Sequence, residues 1–449
     1  MTIKATIVGA LACQRNSFLF DGFRTTVLSC VEDSKTKRDN DKHDYLIELQ
    51  DTILFPQGGG QPTDTGYLNV LADGDNIKET VKVSSVTRNG LHAIHHVNEY
   101  VEPGTAVSVI VDKEKRLDYM QQHTGQHLLS AILEQKPYEL KTLSWAMGGI
   151  PTAKKPQLEP FDYFNYIEIG RALSPQEIED ITETANNYIS INPLPISVFE
   201  RAPDKHEEVD TSKIPDDYNL ERGVLRTIHI GELDSNPCCG THLNTTGQIE
   251  SVCILPNQTS VRGTNSRLLF MCGSRVRNFA KTSSDIITSC KTALSCTETA
   301  IPDKIAKLKD QLQQSNKREQ FWIKELAPIE ASRLATCLSK TGKAYISKDA
   351  FGSLEFLLQV YKELTPLLET APSNYQVVLC GREKNQMGSL LIVSDSGDTI
   401  SAVAKDISGL VKNVKGGGGK KGGKWQGKIT NFSDAEWIAL LGYLEQTTV

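Results

Sequence analysis

The stretch Gln121-Gln122-His123-Thr124-Gly125-Gln126-His127-Leu128-Leu129-Ser130 sets the frame for the whole chain. Leu117 and Met120 lie just upstream of its histidines, and Leu128, Leu129, Ile132 and Leu133 follow them. That spacing predicts a helix packed on a core. His123 and His127 are four residues apart, so on a helix they share one face and can grip one metal ion. An HxxxH by itself more often marks two hydrogen-bonded histidines on a half-buried face. A second pair changes the balance. In Pro237-Cys238-Cys239-Gly240-Thr241-His242 the same four-residue spacing joins Cys238 and His242, and Pro237 and Gly240 suggest a loop. Two imidazoles from one element, with a thiolate and an imidazole from another, complete a tetrahedral zinc shell. The expectation is one zinc ion per chain.

Length and composition bound the rest. At 449 residues the chain has room for two to four domains. Its 39% hydrophobic and 23% charged content suits a soluble globular protein. A net charge of −6 means that any basic surface is local. No apolar run is long enough to cross a bilayer, and Met1 to Leu11 lacks the layout of a signal peptide. The ten cysteines are scattered apart from the adjacent Cys238 and Cys239. That pattern fits a reducing compartment better than a disulfide framework, so a cytoplasmic location is expected.

Residues 1–112 read as β-rich, with short strand candidates such as Tyr45–Leu49 and Ala106–Val111. Between them, Phe55-Pro56-Gln57-Gly58-Gly59-Gly60-Gln61-Pro62-Thr63-Asp64-Thr65-Gly66 forms a loop whose backbone can approach a neighbour closely. Asp33 to Lys42 reads as a solvated hairpin loop. His92, His95 and His96 have no cysteine or acid at ligand spacing and read as structural. Residues 113–284 mix strands and helices, as in an α+β domain. Within them Lys136 to Pro160, rich in Pro and Gly, reads mostly as loop, and Ser174-Pro175-Gln176-Glu177 as a helix start. Over 285–338 the apolar register Ile301, Ile305, Leu308, Leu312, then Trp322, Leu326, Ile329, predicts a long amphipathic helix or a helical hairpin. Residues 339–449 read as a compact α/β unit. Its stretch Lys412 to Lys428 carries lysines and glycines but no acid, and reads as a loop. There Lys420, Lys421 and Lys424 are suited to RNA phosphates, and Trp425 to stacking on a base.

Taken together, these motifs resemble the AlaX family of free-standing alanyl-tRNA editing proteins, which are similar to the editing half of alanyl-tRNA synthetase. Phe55–Gly66 looks like the family's glycine-rich motif, His123–His127 its HxxxH, Cys238–His242 its CxxxH, and Gly416–Gly427 the glycine-rich part of the C-terminal domain called C-Ala. Their order and separation match along nearly the whole chain, as in the long form of the family. The resemblance implies a multidomain α+β fold: an N-terminal β-barrel, an α+β zinc editing domain, a long helical linker and a C-Ala-like domain. It implies metal ligation by His123, His127, Cys238 and His242. It also implies hydrolysis of the ester in mischarged tRNA(Ala), with Ser-tRNA(Ala) as first candidate and Gly-tRNA(Ala) as second. Gly58, Gly59, Gly60, Gln61 and Asp64 are expected to line the pocket, with Thr124 and Gln126 close to the chemistry. The C-terminal domain is expected to contact tRNA or to pair two copies of the chain. There are departures. Cys239 stands where the synthetase usually has Gly, so two thiols compete for one position, and the family spacing assigns the metal to Cys238. The C-terminal glycine stretch is also more basic than its counterpart.

Three other readings are weighed against this one. A complete alanyl-tRNA synthetase needs an aminoacylation domain, and 112 residues before the metal helix leave no room for it. A zinc peptidase needs HExxH, and here Thr124 and Gly125 follow His123. A non-catalytic tRNA-binding protein with a structural zinc fits a closed set of four ligands.

Overall fold

The computed structural model of the chain describes residues 4–34, 44–72, 76–201, 223–384, 386–421 and 423–448. Most of the expected hairpin loop at Asp33 to Lys42 lies outside these residues. The chain divides into two compact units, Met1–Ser289 and Cys290–Val449. The result is a mixed α/β, multidomain protein.

The first unit opens with a short helix, α1 (Ala12–Arg15), and a closed six-stranded barrel. Its strands are β1 (Phe23–Glu32), β2 (Tyr45–Leu49), β3 (Gly66–Leu71), β4 (Ile77–Asn89), β5 (His92–Val97) and β6 (Ala106–Val111), in the order β1-β2-β5-β4-β3-β6. Alternating residues fill it: Val81, Val83 and Val86 from β4, and Val107 and Val109 from β6, are buried. His95 is sealed inside, with its ring nitrogens against the Thr52 hydroxyl at 2.9 Å and the Ile47 carbonyl at 3.1 Å. It is a structural histidine.

Helix α2 (Lys113–Glu134) follows, started by the Asp112 side chain, which accepts the Lys115 N–H. Every residue from Tyr119 to Leu133 is buried, polar ones included. The helix is therefore wrapped on all sides rather than amphipathic. Gly125 makes this possible: a Cβ there would lie 2.3 Å from the Cys272 sulfur.

Around α2 stand β7 (Ser144–Ala146), β8 (Asn165–Ile169), α3 (Pro175–Ser190), β9 (Ile196–Arg201), β10 (Leu225–Ile230) and β11 (Asp234–Pro237). Then come β12 (Val252–Ile254), β13 (Thr259–Ser260), β14 (Ser266–Cys272) and α4 (Ser274–Leu294). They make a sheet ordered β12-β14-β8-β7, with β13 beside β14, and a three-stranded sheet ordered β11-β10-β9. Helix α3 begins as its sequence predicts, with Ser174 and Glu177 in a capping box and Pro175 in the first turn.

In the second unit, α5 (Ile301–Thr341) is one helix of 41 residues, not a hairpin. Pro302 sits in its first turn and Gly342, at φ 71°, ends it. Its core-facing residues are Ile323, Ala327, Ala331, Leu334 and Leu338. The predicted stripe of Ile305, Leu308, Leu312, Trp322, Leu326 and Ile329 is exposed instead. Next are β15 (Lys343–Lys348), α6 (Leu354–Leu364), β16 (Gln376–Arg382), β17 (Gly388–Ser394), α7 (Gly397–Leu410), β18 (Val414–Gly418), β19 (Gly423–Ile429) and α8 (Asp434–Thr448). The sheet runs β15-β16-β17-β19-β18. Residues of α5 and α6 cover one face, and residues of α7 and α8 the other. The basic, glycine-rich stretch is thus not a loose loop but the edge hairpin β18–β19 of this sheet.

Candidate metal centre

Helix α2 presents His123 and His127 one turn apart, with ring centres 5.3 Å apart. The loop after β11 brings Cys238 and His242 against them. The ligand atoms of these four residues lie within 4.8 Å of one another. The Cys238 sulfur is 3.4 Å from Nε2 of His123 and 3.4 Å from Nε2 of His242. A tetrahedral site with metal–nitrogen bonds of about 2.0 Å and a metal–sulfur bond of about 2.3 Å has nitrogen–sulfur edges of roughly 3.5 Å. The donor set therefore fits a metal ion in both chemistry and size.

The cluster's charge also suits a cation. Burial works against a thiolate at Cys238, yet His123 and His242 beside it hold its thiol well below the usual range. Burial pushes His123 down and His242 down to about 3, favouring neutral imidazoles. At His127 burial acts the same way, but hydrogen bonds to Asp234 and Cys238 reverse it and push the group up to about 9. A cation would displace that proton.

A second layer aims the rings. Gln61 Oε1 accepts from His123 Nδ1 at 2.9 Å and from the Thr241 N–H at 3.0 Å. Its amide nitrogen donates to the Thr241 hydroxyl at 2.7 Å. A carbonyl oxygen only accepts, so the proton of His123 is on Nδ1 and Nε2 is free to bind. Asp234 on β11 does the same for His127, its carboxylate 3.3 Å from Nδ1. Gly240 lets the loop pass His123: a Cβ there would sit 2.2 Å from the ring. Arg226 clamps that loop from β10, donating to the carbonyls of Cys238 at 2.8 Å and Gly240 at 2.7 Å. Gln14 adds a bond to the Cys239 carbonyl at 2.7 Å.

The glycine stretch packs against the same loop. Gly58 and Gln61 exchange backbone hydrogen bonds at 3.1 and 3.0 Å. Gly59 and Gly60 between them have φ of 61° and 80°. Two successive positive φ values are the requirement of a type I′ turn, which glycine meets best. A Cβ on Gly59 would lie 3.1 Å from the Cys239 sulfur, and one on Gly60 would strike the Trp145 indole at 2.6 Å. Trp145 in turn lies over His123, with ring centres 5.0 Å apart. A cavity of about 130 Å³ opens beside the turn, bounded among others by Phe55, Gly58, Arg226, Cys238 and Cys239.

Several residues expected to face a substrate are engaged by the protein itself. Gln61 is fully buried and spends both ends of its amide on Thr241 and His123. Asp64 is buried too: it pairs with Arg116 of α2 and accepts the Phe55 N–H at 2.6 Å. Both make bonds that hold the site together. The Thr124 hydroxyl accepts the Leu243 N–H at 3.2 Å, and Gln126 donates to Ser130 at 2.8 Å. The first bond ties α2 to the loop and the second lies within α2. Cys239 points to the glycine turn, outside the four-residue cluster, and burial beside Cys238 raises its thiol to about 12. In the second unit Lys420 and Lys421 are exposed. The Lys424 ammonium lies 5.1 Å from the centre of the Tyr361 ring. Trp425 is half-buried across Gly416 and Gly427, where a Cβ would meet its ring at 2.4 Å. Its indole packs on the sheet and is not a free stacking platform.

Trp145, Asp234 and Arg226 are the site residues that the sequence does not announce. Trp145 lies in a stretch whose prolines and glycines read as loop. Asp234 and Arg226 match no motif spacing, and only the sheet brings them in.

Residues 225–268, which include Cys238 and His242, match the family described as the threonyl and alanyl tRNA synthetase second additional domain. A Saccharomyces cerevisiae protein named, provisionally, alanyl-tRNA editing protein alaX is 56% identical, over 97% of this chain and 96% of its own length. The alanyl-tRNA editing protein Aarsd1 of Rattus norvegicus is 29% identical, over 96% of this chain and 97% of its own. Alanine--tRNA ligase of Pyrococcus furiosus is 28% identical, over 88% of this chain but only 40% of its own length. With more than half its residues shared along almost the whole of one such protein, the chain belongs to the AlaX family of alanyl-tRNA editing proteins.

Proposed function

We propose that the chain is a trans-editing hydrolase that cleaves the ester of mischarged tRNA(Ala), with Ser-tRNA(Ala) as main substrate and Gly-tRNA(Ala) as second. The observation that carries this is the convergence of His123, His127, Cys238 and His242 beside the glycine turn, in a chain of this family. In this reading residues 113–284 form the zinc editing domain and residues 1–112 the barrel that supplies the turn. Zinc, when bound, supplies a Lewis acid to polarise an ester carbonyl or a water. The chain's own part is positional. His123 and His127 offer Nε2 because Gln61 and Asp234 hold their Nδ1 protons. Trp145 covers His123 and keeps bulk water off that side. Of the Gly58–Gln61 turn, Gly58 borders the cavity, next to Pro56 and Gln57. Such a turn can crowd a ligand closely, and editing is needed because a pocket built for alanine rejects an added hydroxyl poorly. The test is deacylation of Ser-, Gly- and Ala-charged tRNA(Ala), with zinc measured on the same sample. Release of serine is expected. Stoichiometric zinc without release from any of the three would favour a tRNA-binding protein with a structural zinc, which the four-donor set also suits.

Gly59→Val places a branched side chain at positive φ, against Cys239. Serine release is expected to fall at least tenfold while the circular dichroism spectrum is kept. Unchanged kinetics on both Ser- and Ala-tRNA(Ala) would remove the turn from the pocket.

The second unit is proposed to be a C-Ala-like domain, joined through the helical segment 285–338, in a cytoplasmic protein. Its role would be to bind tRNA through the exposed end of the β18–β19 hairpin, or to pair two chains. Lys420→Gln with Lys421→Gln tests the first role without touching Trp425 or the Lys424–Tyr361 contact. The slope of log affinity against log salt is expected to drop by roughly one to two, because fewer counterions are released. An unchanged salt slope would leave pairing of two chains as the role of this domain.

A further inference from the structure

We propose that His242 is the exchangeable donor of the cluster, the one whose hold on a metal is weakest and which yields first to an incoming ligand. The inference rests on the metal reading above and deepens it.

The three histidines are not equally supported. His123 gives its Nδ1 proton to Gln61, and His127 gives its own to Asp234. His242 Nδ1 is buried and has no hydrogen-bond partner among the described residues. Solvent does not compensate, since the residue is only 3% exposed. To offer a bare Nε2, the neutral ring must carry its proton on Nδ1. For His123 and His127 a partner favours that tautomer. For His242 the same tautomer strands a buried N–H, while the opposite one can donate from Nε2 toward the Cys238 sulfur 3.4 Å away. The arrangement therefore favours metal binding at two rings and opposes it at the third. A partner on the outer nitrogen typically contributes roughly 10–100-fold in metal affinity.

The backbone around His242 is held firmly, which confines the freedom to the ring. The His242 N–H reaches the Ser17 hydroxyl at 3.3 Å, and the next N–H, of Leu243, reaches Thr124 at 3.2 Å. Rotation about the side-chain bonds can thus remove the imidazole without moving the loop or Cys238. This also answers a chemical difficulty. Four protein donors close a tetrahedral site, whereas a catalytic one keeps a position open. Three firm donors and one weak one reconcile the two.

The experiment uses the full chain, loaded with Zn²⁺ or Co²⁺, and His123→Ala, His127→Ala and His242→Ala variants. Zinc affinity is read by competition with a chelator and coordination by the visible spectrum of the cobalt form. His242→Ala is expected to weaken zinc binding by less than about tenfold, and the other two by about a hundredfold or more. Its cobalt form should keep the thiolate charge-transfer band. Adding serine hydroxamate should shift the cobalt bands of the unaltered chain toward those of the His242→Ala form. Should His242→Ala misfold by circular dichroism, His242→Asn takes its place. Loss of metal in the His242 variant as severe as in the other two would overturn the proposal while leaving the metal reading intact. Failure of the unaltered chain to bind either ion would overturn both.

Discussion

Cys238→Ala is expected to strip the chain of its metal, and Cys239→Ala to leave the metal in place. The two thiols are adjacent, yet the fold sorts them. The Cys238 sulfur lies 3.4 Å from two imidazole nitrogens, with its thiol held well below the usual range. The Cys239 sulfur faces Gly58 and Gly59, where Cβ atoms would come within 3.3 and 3.1 Å. A metal binds the thiolate, not the thiol, so Cys239 starts at a disadvantage in charge as well as position. Removing Cys238 should lower zinc affinity by more than a hundredfold and lose the protection that a bound ion gives against unfolding. The measurements are metal-to-protein ratio after dialysis and melting temperature with and without a chelator. Chelator should lower the melting temperature of the unaltered chain and of Cys239→Ala, and leave Cys238→Ala where it already is. Retained zinc in Cys238→Ala with loss in Cys239→Ala would reverse the ligand assignment.

The second large effect is expected at Asp64. Its carboxylate is the only acid bonded to the Arg116 guanidinium among the described residues, and both side chains are sealed from solvent at 1% and 0% exposure. Arg116 also donates to the carbonyls of Ser17 at 3.0 Å and Ile53 at 2.6 Å. Asp64→Ala leaves a buried cation with carbonyl partners alone, and breaking such a pair costs about 3–5 kcal/mol. It also releases the Phe55 N–H. Urea unfolding should show that loss, with the midpoint falling and the slope unchanged. Asp64→Leu combined with Arg116→Met, which removes both charges, should recover much of it. A loss below about 1 kcal/mol for Asp64→Ala would mean that solvent reaches the guanidinium after all.

The site's four donors are legible in the sequence because helical spacing and a Pro- and Gly-framed loop are local patterns. The same holds for the cap at Ser174. What is not legible depends on pairing across long separations. Trp145 becomes a strand residue only by pairing with Ile167. Asp234 reaches His127 because β11 pairs with β10. Gln61 and Asp64 are expected at the pocket from the family resemblance, and the internal bonds they make to His123, Thr241 and Arg116 have no local signature in the sequence. The hairpin β18–β19 reads as a loop because glycine disfavours strands. Gly416 and Gly427 are there for another reason, to leave room for the Trp425 ring. On α5 the heptad stripe is real, but a different set of residues meets the core, and small Ala327 and Ala331 give that face a weaker apolar signal.

The amide of Gln61 spans a seam in the chain. It belongs to the segment that builds the barrel, yet it fixes a ring on the helix beyond the barrel's last strand. Asp64 crosses the same seam to Arg116, and Gln14 crosses it to Cys239. The barrel is therefore not a detachable cassette. A fragment cut at residue 113 would keep all four donors in its sequence but would free the His123 imidazole to rotate and leave the Arg116 charge without its counterion. Engineering that grafts the metal helix and loop onto another scaffold would have to carry these three side chains with it, or rebuild them from the host.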